Sequence, residues 1–312
     1  MTKVAIIGAG LIGQSWAIAF ARGGCAVTLH DRDHAVADRA LAVLPDALAA
    51  LERMDLLGGE TADAVGARID AASDLADAVR GAIHVQENTP ETLEVKRSVF
   101  AQLDDAADAD AVIASSSSAL LPSAFTDGLA GAARCLVAHP LNPPHLVPAV
   151  ELVPGPQTSA ETVARTRALM SSIGQSPIET SREVEGFVMN RLQGALLDEA
   201  FALVEQGLAS PADIDTAMRD GLARRWTFLG PFETIDLNAP GGIGDFMDRY
   251  GPAYAAIGTQ RPTRPRWDGT LRERLVQYAS GQSSTHDARR AWRDRCLARL
   301  ARLISANEKA TG

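Results

Sequence analysis

The first 31 residues constrain the fold of this chain more than any other segment. Residues 4–31 read VAIIGAGLIGQSWAIAFARGGCAVTLHD, an apolar run, three spaced glycines, a helical stretch and a second apolar run ending in Asp31. In a strand–turn–helix unit, Gly8 permits the tight turn, Gly10 lets the backbone approach a pyrophosphate, and Gly13 lets the helix pack against the strand. The phosphates would then bind the unpaired N–H groups at the helix N-terminus.

The acid at the end of this unit indicates which dinucleotide would bind. Asp31 follows Gly13 by 18 residues, where a carboxylate accepts hydrogen bonds from the ribose hydroxyls of an adenosine. That placement favours NAD over NADP. The alternative, a glycine-rich turn that serves packing alone, leaves Asp31 unexplained.

The composition narrows the classes of function. A chain of 312 residues suggests about two domains, and its net charge of −9 argues against a nucleic-acid partner. The three cysteines are odd in number and scattered, so we expect neither a disulfide framework nor a metal site. No apolar stretch approaches the roughly 20 residues of a membrane span, and no signal-peptide pattern precedes the glycine turn. We therefore expect a cytoplasmic protein without a membrane partner.

Strand and helix signals change character near residue 186. Before it, short β-rich runs alternate with helical segments, which predicts an α/β fold, a Rossmann-type doubly wound sheet covered by helices. The candidate strands are Val4–Ile7, Val27–Leu29, His84–Gln86, Val112–Ala114, Cys135–Ala138, Val150–Leu152 and, at an edge, Pro177–Glu179. Beyond it the strand signals fade, and a long helix is predicted that stops at Gly207.

These signals predict two domains. Residues 1–185 would form an NAD-binding Rossmann domain, and residues 186–312 an all-helical C-terminal domain for substrate binding and dimerisation. Within the second domain, Ser210 is expected to cap a helix, and the Pro- and Arg-rich stretch at 259–269 is expected to be an irregular connection.

A histidine and a glutamate are the main candidates for chemistry. His139 is expected just past one strand and Glu151 inside the next. The segment LNPPHLVP between them contains three prolines and is expected to form a stiff loop. Oxidation of an alcohol by NAD also removes the hydroxyl proton, and the pKa of histidine lies near working pH. Glu151 would fix the histidine tautomer, because an acid inside an apolar strand is costly unless it is paired. His145, within the loop, is expected to be exposed.

A run of four serines follows another candidate strand. A Ser/His/Glu acyl-transfer triad is conceivable from these residue types, but no GxSxG elbow is present. We interpret Ser118 as a hydrogen-bonding partner of a substrate oxygen.

Several motifs together resemble one enzyme superfamily. GAGLIG, ENTPETLEVK, SSSS, HPLNPP, VEL and GFVMNRL stand in the order and spacing of the 3-hydroxyacyl-CoA dehydrogenase superfamily. SPADIDTAMRDGL, FLGPFETIDLNAPGG and RRAWRDRCLARL resemble most closely its lambda-crystallin branch, whose members include L-gulonate 3-dehydrogenase.

The resemblance implies a role for each matching residue. His139 would be the general base or acid, Glu151 its orienting partner, and Ser118 and Asn190 contacts to the reacting oxygen. Relatives often have Asn or Thr before the catalytic serine, where this chain has serine, so Ser116 or Ser117 could share the role of Ser118. The residues implied in NAD binding are Gly8, Gly10, Leu11, Ile12, Gly13, Asp31, Glu91 and Lys96.

Two features bear on the substrate. Residues 36–80, where acyl-CoA members would hold coenzyme A, contain four arginines against nine acids, a poor cradle for its phosphates. Arg224 and Arg225 precede the turn at Gly230. An arginine side chain is able to bind a carboxylate through two parallel hydrogen bonds. The other interpretation of this pair is a surface salt bridge. We therefore expect a free 3-hydroxy acid such as L-gulonate, with its carboxylate on Arg225.

Other functions stay open at this point. A 3-hydroxyacyl-CoA dehydrogenase or a carnitine 3-dehydrogenase would use the same catalytic residues, and a catalytically idle NAD-binding structural protein would use none. The helix after Gly186 has a broader apolar face than one contact would bury, which favours a homodimer through the C-terminal domain.

Overall fold

The computed structural model describes residues 1–259, 269–280 and 285–311. Most of the predicted irregular connection, 260–268, lies outside the described residues. The chain forms two compact units, Met1–Asn190 together with His286–Gly312, and Arg191–Thr285. The predicted boundary at 185/186 stays a prediction, and the last 27 residues group with the first unit.

Eight strands in the first unit form one sheet in the order β3-β2-β1-β4-β5-β6-β7-β8. The strands are Lys3–Ile7 (β1), Ala26–His30 (β2), Ile69–Ala71 (β3), His84–Glu87 (β4), Val112–Ser115 (β5), Cys135–Pro140 (β6), Ala149–Pro154 (β7) and Ser176–Glu179 (β8). Neighbours are parallel except β6 and β7, which form an antiparallel pair. The doubly wound α/β fold is therefore confirmed, with one antiparallel pairing added.

One strand escaped prediction. β3 contains only three residues, and of these only Ile69 is buried. A segment so short and polar lacks the alternation by which strands are recognised in a sequence.

Seven helices of the first unit precede residue 190. They are Leu11–Arg22 (α1), His34–Arg53 (α2), Ala62–Gly66 (α3), Leu75–Val79 (α4), Leu93–Ala106 (α5), Pro122–Thr126 (α6) and Ala160–Ser172 (α7), with a 3₁₀ turn at Ala132–Arg134. No helix within the described ranges has the length and apolar character to cross a bilayer.

The remaining helices begin with Met189–Glu205 (α8). They continue with Pro211–Thr216 (α9), Ala223–Trp226 (α10), Pro231–Leu237 (α11), Gly242–Thr259 (α12), Gly269–Ser280 (α13) and His286–Thr311 (α14), and a π-helical turn at Ala217–Leu222 joins α9 to α10. The predicted cap is present, because the Ser210 hydroxyl accepts the Asp213 N–H at 3.1 Å. The helical C-terminal region is confirmed.

Two apolar clusters cover the two faces of the sheet. Alternate residues of β1 point to opposite faces, as the strand period requires. Val4 and Ile6 pack against α1 and α2 on one face, and Ala5 and Ile7 pack with Phe100 of α5 on the other. Ala298 of α14 is buried in the first of these clusters.

The glycines of the opening turn are required by close backbone contacts. Gly8 has φ +93°, and a Cβ there would lie 2.8 Å from the Asn88 carbonyl. A Cβ on Gly13 would lie 2.0 Å from the Gly8 carbonyl oxygen, whereas one on Gly10 would meet nothing within 4 Å. Packing therefore explains Gly8 and Gly13 but leaves Gly10 facing open space.

This difference predicts unequal costs for the same substitution. Gly13→Ala should lower the free energy of unfolding by about 1–3 kcal/mol or more, because the methyl group collides with backbone. Gly10→Ala, at the N-cap of α1, should cost less than about 1 kcal/mol. Urea unfolding followed by circular dichroism measures both, and equal losses would contradict the packing argument.

Candidate active site

The β6–β7 pair places His139 directly opposite Glu151. The two residues are register partners, and Nδ1 of His139 lies 2.7 Å from Oε2 of Glu151. Their side chains are 5% and 0% exposed, so this hydrogen bond is shielded from water. Because Nδ1 faces the carboxylate, Nε2 is the ring nitrogen left to act on another molecule.

The second oxygen of Glu151 binds the start of α8. Oε1 accepts the N–H of Val188 at 2.6 Å and of Met189 at 2.8 Å. These are unpaired amide groups at a helix N-terminus, where a negative charge is stabilised. The carboxylate therefore fixes the imidazole and the helix start at the same time.

These contacts set the charge of Glu151. Burial raises the pKa of its carboxyl, but the hydrogen bonds from His139, Met189 and Val188, with the charge of His139, outweigh burial. The pKa is therefore held below its usual value, and Glu151 is ionised at neutral pH.

The backbone before α8 has an unusual conformation that serves the same contact. Gly186 and Phe187 have φ of +76° and +49°. A phenylalanine rarely adopts a positive φ, so the surrounding structure must hold it there. The Phe187 ring is fully buried and lies 5.6 Å from the His139 ring, between centroids, where it covers the imidazole.

Asn190 and Ser118 are also brought together. The Asn190 side-chain amide donates to the Ser118 carbonyl at 2.7 Å, one residue beyond the amide groups that bind Glu151. His139, Glu151, the start of α8, Asn190 and Ser118 thus form one connected set, in which the four predicted catalytic residues all take part. Ser118 is exposed, and its hydroxyl has no hydrogen-bond partner among the described residues.

Glu91 holds the serine loop from the other side. Its Oε1 accepts the N–H groups of Ser118 and Ala119 at 3.1 Å, the Leu120 N–H at 3.3 Å and the Ser117 hydroxyl at 2.6 Å. Burial raises the pKa of Glu91, but these bonds and the charge of Lys96 outweigh it and lower the pKa. Glu91 was predicted to bind NAD. Within the chain, its carboxylate holds Ser118 in position.

The neighbouring serines are occupied by other contacts. The Ser117 hydroxyl is buried on Glu91. The Ser116 hydroxyl accepts from Trp16 Nε1 at 3.0 Å and Gln86 Nε2 at 2.8 Å, and donates to Asn88 at 2.7 Å. Of the three serines considered, Ser118 is the one with an uncommitted hydroxyl.

A groove of about 610 Å³ lies beside the glycine turn. It is lined by Gly8, Gly10 and Asp31 and by the loop after β4. The size falls within the range of small-molecule sites, about 300–1,000 Å³. The open space at Gly10 is where the sequence places a pyrophosphate, so the groove fits a dinucleotide.

Asp31 is oriented toward this groove by backbone. Its Oδ2 accepts the Ala9 N–H at 3.0 Å and its Oδ1 accepts the Asp33 N–H at 3.0 Å. Each oxygen keeps a further lone pair for a ribose hydroxyl. The residues present therefore fit the adenosine end of NAD, while Leu11 is 58% exposed at the start of α1 and Ile12 packs against the core.

The role of Lys96 in NAD binding stays a prediction, and within the chain its ammonium is bound by Glu87 and by the loop after β4. Its ammonium lies 2.8 Å from both oxygens of Glu87 and 3.0 Å from the Thr89 carbonyl, which uses all three N–H donors. The pair is buried, with 1% and 0% of the side chains exposed. Lys96 therefore supports the Thr89 loop that lines the groove.

Sequence reasoning missed the role of Glu87. An acid at the end of a buried strand was a visible signal, the same one that identified Glu151.

Arg225 is exposed on α10 and belongs to the second compact unit.

Two family models cover most of the chain. Residues 3–184 match the model "3-hydroxyacyl-CoA dehydrogenase, NAD binding domain", and residues 186–277 match "3-hydroxyacyl-CoA dehydrogenase, C-terminal domain". The first model covers the whole sheet, and the second covers the helical region from α8 into α13.

Similar proteins span nearly the full length. The chain is 47% identical to a lambda-crystallin homolog of Bos taurus over 305 residues, 96% of this chain and 95% of that protein. It is 34% identical to an L-carnitine dehydrogenase of Oceanobacillus iheyensis over 89% of each chain.

Solved structures share the fold. An NAD+-dependent dismutase, 5-formyl-3-hydroxy-2-methylpyridine 4-carboxylic acid 5-dehydrogenase, superposes with a TM-score of 0.82 at 30% identity, covering 98% of this chain and 99% of that one. The 3-hydroxybutyryl-CoA dehydrogenase of Escherichia coli K12 gives 0.69 at 26% identity, covering 88% and 56%.

The lowered pKa of Glu151 predicts a pH-dependent contribution to stability. Since its pKa is lower in the folded than in the unfolded chain, its stabilisation is complete above the unfolded value of about 4.3 and is lost as pH falls through the folded value. Glu151→Gln should therefore be less stable than the parent at pH 7, and the gap should narrow below about pH 4.

Urea unfolding at a series of pH values measures this gap. Glu205→Gln, at an exposed end of α8, serves as the control and should change stability by less than about 0.5 kcal/mol at pH 7. A gap for Glu151→Gln that stays constant down to pH 3 would exclude the assigned pKa direction.

Proposed function

The chain belongs to the 3-hydroxyacyl-CoA dehydrogenase family and is an NAD-dependent oxidoreductase acting on a CH–OH group; from that premise we propose that it oxidises the 3-hydroxyl of a free 3-hydroxy acid, L-gulonate to 3-dehydro-L-gulonate. The observation that carries this proposal is the buried His139–Glu151 pair, with Nδ1 bound and Nε2 available. NAD, when bound, supplies the acceptor for the hydride from C3.

The protein's part in the reaction is to move a proton and hold the alcohol. His139 Nε2 takes the proton of the 3-hydroxyl as the carbonyl forms. Ionised Glu151, by binding Nδ1–H, selects the neutral tautomer in which Nε2 carries the lone pair, and it stabilises the imidazolium that results. The free hydroxyl of Ser118, with Asn190 beside it, would hold the reacting oxygen.

The charge of the arm at 36–80 supports a free acid over a coenzyme A thioester. Of its four arginines, Arg68 hydrogen-bonds Glu60 at 2.9 Å and Arg80 pairs with Asp77 at 2.6 Å. The arm therefore offers few unpaired cations for the phosphates of coenzyme A, and its nine acids repel them.

We propose Arg225 as the residue that binds the substrate carboxylate. The support is chemical: a guanidinium presents two parallel N–H donors to a carboxylate. Arg219, in the same helical region, is hydrogen-bonded to Asp220 at 2.7 Å. The guanidinium of Arg225 has no hydrogen bond among the described residues, although its backbone carbonyl accepts from Phe228 and Leu229.

Lambda-crystallin and carnitine dehydrogenase relatives lead to different substrates. L-Carnitine is also a 3-hydroxy acid, but its trimethylammonium group would call for aromatic or acidic contacts. Trp226 and Phe228 are 39% and 58% exposed near Arg225 in sequence and would supply such contacts. A catalytically idle structural role, in contrast, leaves the complete His139–Glu151–Asn190–Ser118 set without a purpose.

We further propose a homodimer formed through the second unit. Many of its large apolar side chains are exposed, far more than scattered surface residues account for. Those at least half exposed are Leu192, Leu208, Phe228, Phe232, Leu237, Met247, Tyr254, Ile257 and Val276. A second copy of the chain would cover them.

His139→Ala should abolish turnover and leave NADH binding intact. Removal of a general base costs about 10²–10⁴-fold in kcat, and the base contributes little to cofactor affinity. Initial rates with L-gulonate and NADH fluorescence titration measure the two effects. His34→Ala, at an exposed position of α2, is the control and should retain activity. Normal kcat in His139→Ala would remove His139 from the mechanism.

Arg225→Ala should raise KM for L-gulonate about tenfold or more, because a charge-assisted hydrogen bond is lost, with NADH affinity unchanged. Arg224→Ala is the neighbouring control and should leave KM within about twofold. Rates on L-gulonate, L-3-hydroxybutyrate, L-carnitine and 3-hydroxybutyryl-CoA distinguish the substrate classes. An unchanged KM in Arg225→Ala excludes its assignment, and a preference for the thioester excludes the free acid.

A further inference from the structure

A second cavity in the first unit is separate from the NAD groove. Its volume is about 730 Å³, and it shares no lining residue with the groove beside Gly10. Four segments and one helix enclose it: residues 22–23 at the end of α1, residues 55–60 after α2, residues 144–148 between β6 and β7, residues 172–176 around the end of α7, and α14. We call it the α14 cavity.

One wall of the α14 cavity is apolar. Four residues of α14 at helical spacing line it, Leu297, Leu300, Ala301 and Ile304. Positions three and four apart share one side of a helix, so these side chains form a continuous stripe. Leu57, Leu146 and Ile173 extend the apolar lining on the other walls.

A guanidinium is the main polar group in this lining. Arg22, the last residue of α1, donates from Nη1 to the His145 carbonyl at 3.0 Å. This is the only hydrogen bond of the guanidinium within the described part of the chain, so most of its five N–H donors have no acceptor there. Burial lowers the pKa of Arg22, and at neutral pH it stays charged.

His145 adds a second group without a partner. Contrary to the expectation of exposure, it is half-buried, and its Nδ1 is buried without a hydrogen bond. Burial first, and then the charge of Arg22, lower the pKa of His145 to about 4, so the ring is neutral at pH 7. A neutral imidazole is able to donate one N–H to a ligand oxygen.

The acids nearby are largely neutralised by other arginines. Glu60, which lines the cavity, is hydrogen-bonded to Arg68 at 2.9 Å. Asp294, whose charge acts on His145, is bound by Arg293 at 2.7 Å. Asp55 is exposed at the edge of the lining. The uncompensated charge in the buried part of the lining is therefore the cation of Arg22, whereas Asp55 is in contact with solvent.

We propose that the α14 cavity binds an amphiphilic anion, a carboxylate that carries a medium-length alkyl chain. The carboxylate meets the unused donors of Arg22, and the neutral ring of His145 lines the cavity beside them. The alkyl chain lies along the Leu297–Ile304 stripe of α14. The volume is in the range of small-molecule pockets, and a largely buried cation beside an apolar wall is the combination that selects such a ligand.

Binding of sodium decanoate to the intact protein tests the proposal. Isothermal titration below the micellar concentration should give saturable binding, and saturation with NADH should leave the decanoate Kd unchanged, since the two sites share no residue. Decanol, which lacks the charge, should bind at least about tenfold more weakly. Absence of saturable decanoate binding, or its displacement by NADH, overturns the proposal.

Two variants locate the site. Arg22→Met should weaken decanoate binding by at least about tenfold, and Arg299→Met, on the exposed side of α14, should leave it unchanged. Ala301→Trp fills the cavity while Arg22 is kept, and should also remove binding without changing the NADH Kd. Unchanged decanoate binding in a folded Arg22→Met or Ala301→Trp protein contradicts the assignment.

Discussion

The carboxylate of Glu151 is the group on which the arrangement of the active site depends. One oxygen binds the imidazole of His139, and the other binds two backbone N–H groups at the start of α8. A single buried charge thereby sets the tautomer of the base and the position of the helix that carries Asn190. An ionised carboxylate in this place is stable only because both kinds of partner are present.

The serine loop is held by a comparable arrangement. Glu91 binds three consecutive N–H groups of the loop, and Asn190 binds the carbonyl of Ser118. The loop is therefore fixed on its donor and acceptor sides, with the Ser118 hydroxyl left uncommitted. Nearby, Glu87 and Lys96 form a buried ion pair that fixes the loop beside the NAD groove. Preorganised hydrogen-bonding groups of this kind keep the cost of ordering low when substrate binds.

Local sequence patterns predicted most of the fold. Alternation and glycine spacing identified seven of the eight strands, whereas β3 is too short and polar to show a pattern. The antiparallel direction of β7 depends on the loop returning beside β6, and the contact of Lys96 with Glu87 depends on distances between elements. Periodicity carries neither kind of information, because both are set by tertiary packing.

The predicted site residues differ in how directly the sequence revealed their contacts. Glu151 was recognisable because an acid inside an apolar strand needs a partner, and His139 lies directly opposite it in the β6–β7 pair. The binding of Glu151 to the start of α8 was not visible, since residues 151 and 188 are far apart in the chain. The role of Glu91 in holding Ser118 was hidden for the same reason.

The most direct test of the proposed reaction follows the hydrogen atom on C3 of the substrate. L-Gulonate deuterated at C3 is incubated with the protein and NAD, and the NADH formed is analysed by mass spectrometry. Oxidation at the 3-hydroxyl predicts that the NADH carries the deuterium. NADH formed from this substrate without the label, or no NADH at all, would contradict the proposed reaction.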